Sequence, residues 1–82
     1  MRNKVLVELI VPEIDRKFNI YLPINKKIGN IITLLNQAIL EISPQHVRVN
    51  NSIYNRDTGE KYDIDIVLYY TDIRNGTALI LI

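Results

Sequence analysis

The sequence predicts an α+β fold whose elements follow the order β-β-α-β-β-β. Three observations carry that reading. Apolar residues alternate at period two in two early runs, "VLVELIVP" (Val5 to Pro12) and "KFNIYLP" (Lys17 to Pro23). The period then changes to that of a helix, with apolar residues at Ile28, Ile31, Ile32, Leu35 and Ile39. Finally, an Asn75-Gly76 turn signal introduces a run of β-forming residues, "TALILI" (Thr77 to Ile82). Eighty-two residues make one domain, spanning residues 1–82. Fifteen of them are isoleucine, and this density of β-branched apolar side chains favours strands.

In the first run Val5, Val7, Leu9 and Val11 form a fully apolar face, while Leu6, Glu8 and Ile10 form a mixed one. Glu13 to Arg16 is a polar break around Asp15. The second run resumes the alternation with Phe18, Ile20 and Leu22 on one side, which makes a hairpin with the first. The helix is expected from Lys26 to Ile42, with Asn25 as N-cap and Ser43-Pro44 as its end. Its terminal charges oppose the helix dipole: Lys26 and Lys27 at the positive end, Glu41 at the negative one. Packing must therefore hold this helix, and the two lysines read as a solvated end.

Gln45 to Ser52 is polar and loop-like. Ile53 and Tyr54 begin a short strand, Asn55 to Lys61 turns with Gly59 placed for positive φ, and Tyr62 starts a short return. Asp63 to Thr71 is irregular, with apolar residues available for burial, and Asp72 to Gly76 turns into the last strand. The expected core is Val5, Val7, Leu9, Phe18, Ile20 and Leu22 from the hairpin, Ile28, Ile31, Ile32, Leu35 and Ile39 from the helix, and Leu68, Ile73, Leu79 and Leu81 from the C-terminal third.

The residues offer little chemistry. Ten Lys and Arg balance nine Asp and Glu for a net charge of +1, without the basic footprint of a nucleic-acid binder. With no cysteine, disulfides and thiol chemistry are excluded. His46 is the one histidine, and it reads as an exposed loop residue. Asp57, Glu60, Asp63 and Asp65 lack the spacing of a calcium loop. "DTG", Asp57-Thr58-Gly59, matches the aspartic-protease triplet, but its neighbours Asn55, Arg56, Glu60 and Lys61 are polar. A catalytic pair of such aspartates needs a desolvated site, so a hairpin turn is the better reading. No apolar run reaches the length of a membrane span, and Glu8 and Glu13 interrupt any signal-peptide-like stretch. No catalytic residue, cofactor or metal is expected.

The whole order resembles the ubiquitin-like (β-grasp) superfamily, in which one helix packs across a mixed sheet. "LYYTDIRNGTALIL" (Leu68 to Leu81) resembles the way such domains close, and "LPINKKIGNIITLL" (Leu22 to Leu35) resembles their passage from strand to helix. Within the superfamily the chain is most similar to the small YukD/EsaB proteins of bacterial type VII (WXG100-type) secretion. That resemblance implies a non-catalytic, cytoplasmic accessory or regulatory protein. Its partners would be proteins, such as membrane or ATPase components of the secretion machinery, and neither nucleic acid nor inserted membrane. A sulfur carrier or covalent modifier is the alternative, disfavoured because such proteins end in Gly-Gly and this sequence ends Leu79-Ile80-Leu81-Ile82. A further alternative is a ubiquitin-like domain of a larger secretion membrane protein.

In a ubiquitin-like sheet the first and last strands lie side by side, with one face on the helix and the other toward solvent. Alternation then places Leu6, Glu8 and Ile10 with Ala78, Ile80 and Ile82 on the outer face, and Tyr54 near them. The expected result is a continuous apolar strip containing one acidic residue. Such strips mark interaction sites, so these seven residues are the candidate protein-interaction surface, with a homodimer as the other way of covering it.

Overall fold

The computed structural model describes residues 3–45 and 48–82. Strand β1 (Lys4–Val11) turns through a short 3-10 segment (Pro12–Ile14) into β2 (Arg16–Pro23), and helix α1 (Ile28–Ile42) follows. Strand β3 (Ile53–Asn55), a second 3-10 segment (Leu68–Tyr70) and β4 (Ala78–Leu81) complete the chain. The sheet order is β2-β1-β4-β3, with β1 and β4 parallel at the centre and antiparallel strands outside them. This is the mixed β-grasp sheet that the resemblance implies. The expected return strand at Tyr62 is reduced to an isolated bridge between Tyr54 and Lys61.

The hairpin register pairs Val5 with Leu22, Val7 with Ile20 and Leu9 with Phe18, so the apolar sides of both strands share one face. Asp15 closes the turn in the left-handed region (φ 52°), which a short polar side chain tolerates. The five helical-period residues, Ile28, Ile31, Ile32, Leu35 and Ile39, are all buried against this face. Of the expected core, twelve residues are buried, while Val5, Phe18 and Ile20 are partly buried and pack against it. Val11, Ile53, Tyr62 and Ala78 join the buried set without having been expected there.

The helix starts two residues later than expected. Lys27, not Asn25, occupies the N-cap position, and it makes no side-chain cap. The first helical N–H groups are satisfied instead by the irregular segment before β4. Ile28 N–H donates to Ile66 O and Gly29 N–H to Ile64 O, both at 2.9 Å. Leu68 N–H and Tyr69 N–H return bonds to Lys26 O and Ile24 O. A backbone ribbon thus replaces the side-chain cap, which is why the helix entry tolerates lysines. Gly29 allows the close approach, since a Cβ there would stand 3.1 Å from Ile64 O.

The Asn75-Gly76 turn also extends the central pairing. Asn75 Oδ1 accepts from Leu6 N–H at 2.8 Å, Gly76 N–H (φ +90°) donates to Leu6 O at 2.8 Å, and Glu8 N–H donates to Thr77 O at 3.0 Å. An asparagine side chain here takes the place of a strand carbonyl. Among the described residues no helix is long and apolar enough to cross a membrane.

Candidate functional site

The outer face of the sheet is built by three registers acting together. Ile10 pairs with Lys17 on one side and Ile80 on the other, and Ile80 pairs with Tyr54. One row across the sheet therefore reads Lys17, Ile10, Ile80, Tyr54. The adjacent row reads Asn19, Glu8, Ala78 and then Arg56, whose N–H donates to Ala78 O. A third places Tyr21 beside Leu6. Ile82 lies beside Ser52, to which its N–H donates at 3.0 Å.

All seven candidate residues thus lie on the outer face or its margin, but not as an unbroken apolar strip. Ile10, Ile80 and Tyr54 are partly exposed, and Ile82 is 40% exposed. Ala78, expected at the surface, is only 3% exposed. The reason is Arg56, whose guanidinium reaches across β4 to Glu8 at 3.0 Å and roofs the small side chain between them. The ion pair divides the face into an Ile10–Ile80–Tyr54–Ile82 patch and a smaller patch of Leu6 (37% exposed) with Tyr21. Arg56 escaped the sequence reading, although two residues beyond Tyr54 on an extended chain is the same face.

The β3 turn that carries Tyr54 and Arg56 is braced from beneath. Asn55 Oδ1 accepts the N–H groups of Asp57 (2.8 Å) and Thr58 (3.1 Å), and Gly59 takes positive φ (75°). Asp57-Thr58-Gly59 is therefore a solvated turn, with the exposed Asp57 carboxylate 3.2 Å from Arg56 Nε. Asn55 Nδ2 donates to Tyr62 Oη at 3.1 Å, and Tyr62 O–H donates to Asp72 at 2.7 Å. Burial, reinforced by the hydrogen bond to Asp72, pushes the Tyr62 pKa up to about 12. This chain of bonds fixes β3 to the segment leading into β4. Asp63 caps its own turn by accepting from Asp65 N–H at 2.8 Å, and among the described residues no three Asp, Glu, Cys or His side chains converge as a metal site would require. The His46 expectation lies outside the described residues.

No family model matches the chain. No curated protein matches it by sequence. Solved structures do match. One is a chain of the MycP5-free ESX-5 inner membrane complex in State II, with a TM-score of 0.68 and 16% identity over 96% of this chain. This chain spans only 20% of that one. Another is the ubiquitin-like domain of an Arabidopsis thaliana protein, with a TM-score of 0.63 and 14% identity over 98% of this chain and 77% of that one. Element order, sheet topology and these likenesses agree: the chain has the ubiquitin-like β-grasp fold.

Proposed function

We propose that the protein is a non-catalytic protein-interaction module of the YukD/EsaB kind, an accessory or regulatory part of bacterial type VII secretion. It acts in the cytoplasm through non-covalent contact made by the outer face of its sheet. The observation that carries the reading is the row Ile10–Ile80–Tyr54, which runs apolar across three strands on the side away from the helix. A sheet face turned to water ordinarily carries polar residues. The likeness to a chain of the ESX-5 inner membrane complex favours secretion as the setting. Partners in this reading are membrane or ATPase components of that machinery, and the Glu8–Arg56 pair at the patch margin supplies orientation more than affinity.

The test uses purified protein against the soluble domains of the type VII components encoded in the same genome. Wild type should bind at least one of them. The double variant Ile10→Ser with Ile80→Ser should lose that binding while keeping its circular-dichroism spectrum. Wild type that binds none of them removes the secretion assignment, and a double variant that binds normally removes the face.

The 20% span over the ESX-5 chain favours a second reading, in which this fold is the ubiquitin-like domain of a longer secretion membrane protein. Transmembrane segments in the native reading frame would decide for it.

A further inference from the structure

We propose that the free edge of β2 joins two copies of this protein into one continuous sheet. Among the described residues strand β2 pairs with β1 alone, which leaves its other edge unpaired. The hydrogen-bond phase identifies which groups are free. Ile24 N–H donates to Asn3 O, which makes that a hydrogen-bonded pair. Antiparallel pairs alternate, so Leu22, Ile20, Phe18 and Arg16 also point their backbone groups at β1. The opposite phase of β1 agrees, because Leu6 and Glu8 direct theirs to the β4 side. The N–H and C=O groups of Lys17, Asn19 and Tyr21 therefore face outward from the edge.

Those groups are self-complementary. An antiparallel pairing of β2 with its copy, centred on Asn19, sets Asn19 against Asn19 and Lys17 against Tyr21 of the other copy on each side. All three residues then exchange their hydrogen bonds. On the inner face Phe18 lies against Ile20 of the copy, and these are two of the three expected core residues that one molecule leaves only partly buried. No like charges face each other. The two Lys17 positions are four residues apart along the strand, about 14 Å at roughly 3.4 Å per residue and beyond the screening length at physiological salt. The features that normally blunt an edge, Arg16, Lys17 and Pro23, stand toward the ends of the strand, with the Arg16 guanidinium 5.1 Å from the Phe18 ring centroid, and the backbone edge from Phe18 to Leu22 carries neither charge nor proline. A two-fold axis perpendicular to the sheet presents both outer faces to the same side, so the dimer carries two interaction patches.

Sedimentation of the full chain over a concentration series tests the proposal. Wild type should approach twice its 9.5 kDa mass. Asn19→Lys should weaken the dimer on the order of tenfold or more, because like charges then face each other at the axis. It should spare the monomer, since residue 19 pairs with Glu8 on β1. Asn19→Pro should act alike, its missing N–H having faced solvent. As the chain has no cysteine, Asn19→Cys should cross-link rapidly with diamide, while Thr33→Cys on the exposed helix face should not. Hydrogen-bonded antiparallel partners lie about 5.5 Å apart at Cα, within disulfide range. A wild type that stays monomeric throughout overturns the proposal. So does a dimer that survives Asn19→Lys, or one that Ile10→Ser with Ile80→Ser abolishes while Asn19→Lys does not.

Discussion

Arg56 Nη1 lies 3.0 Å from Glu8 Oε1, and the two side chains meet above Ala78, the residue between them in their row across the sheet. The turn that follows edge strand β3 is thus linked over β4 to the central strand β1, and only a small side chain leaves room for the crossing. Both partners remain substantially exposed, so the pair contributes little to stability, about 0–1 kcal/mol. Arg56→Ala should therefore change the urea midpoint only slightly while uncovering Ala78. A loss well above that range would mean that the roof carries packing energy and not only charge.

Tyr62 gives the fold a dependence on alkaline pH. Its hydroxyl is neutral when bonded to Asp72 and Asn55, and its pKa is pushed up to about 12 from an ordinary value of 10.0. The folded state holds the proton more tightly than the unfolded state. Its contribution is therefore complete below about pH 10 and is lost as pH rises toward about 12. Denaturation midpoints for wild type should fall across that window, and Tyr62→Phe should flatten the fall. Equal slopes in the two proteins would place the titrating group elsewhere.

Leu35 sits at the centre of the helical stripe and is buried. Leu35→Ala should cost about 2–5 kcal/mol, a large share of the about 5–15 kcal/mol that holds a typical domain folded. Chemical denaturation measures it directly, and a cost below 1 kcal/mol would require that the helix repack over the gap.

The periodic features were legible in the sequence because burial on one side imposes a period. The hairpin, the helical stripe and the final strand each have one face on a shared core, and their apolar spacing records it. Face assignment on the outer surface followed from the same alternation and placed six of the seven candidate residues at exposed or partly exposed positions. Ala78 failed because its exposure depends on a side chain from another strand, and a long-range ion pair leaves no periodic trace. Non-periodic backbone bonding was equally silent. The ribbon that caps α1 from Ile64 and Ile66, and the Asn36 side chain that holds both backbone groups of Asn50 at 3.1 and 2.6 Å, connect segments far apart in sequence. The expected N-cap at Asn25 rested on a local preference that this ribbon overrides.

Gly29 is where that ribbon can be tested. It lies in the first turn of α1, where alanine would ordinarily gain up to about 1 kcal/mol in helix propensity. Its N–H bonds to Ile64 O at 2.9 Å, and an added Cβ would stand 3.1 Å from that oxygen and 3.4 Å from Ile64 Cβ. Alanine therefore has to displace the Ile64 backbone by a few tenths of an ångström, which offsets the propensity gain. Gly29→Ala should be close to neutral. Gly29→Val adds two methyl groups against the same strand of backbone and should cost about 1–3 kcal/mol, the usual penalty for overpacking. The accompanying signature should be faster amide exchange at Ile28 and Gly29, whose N–H groups depend on Ile66 and Ile64. If Gly29→Val is instead as stable as wild type with those amides still protected, the ribbon yields freely and the helix start is held by something else.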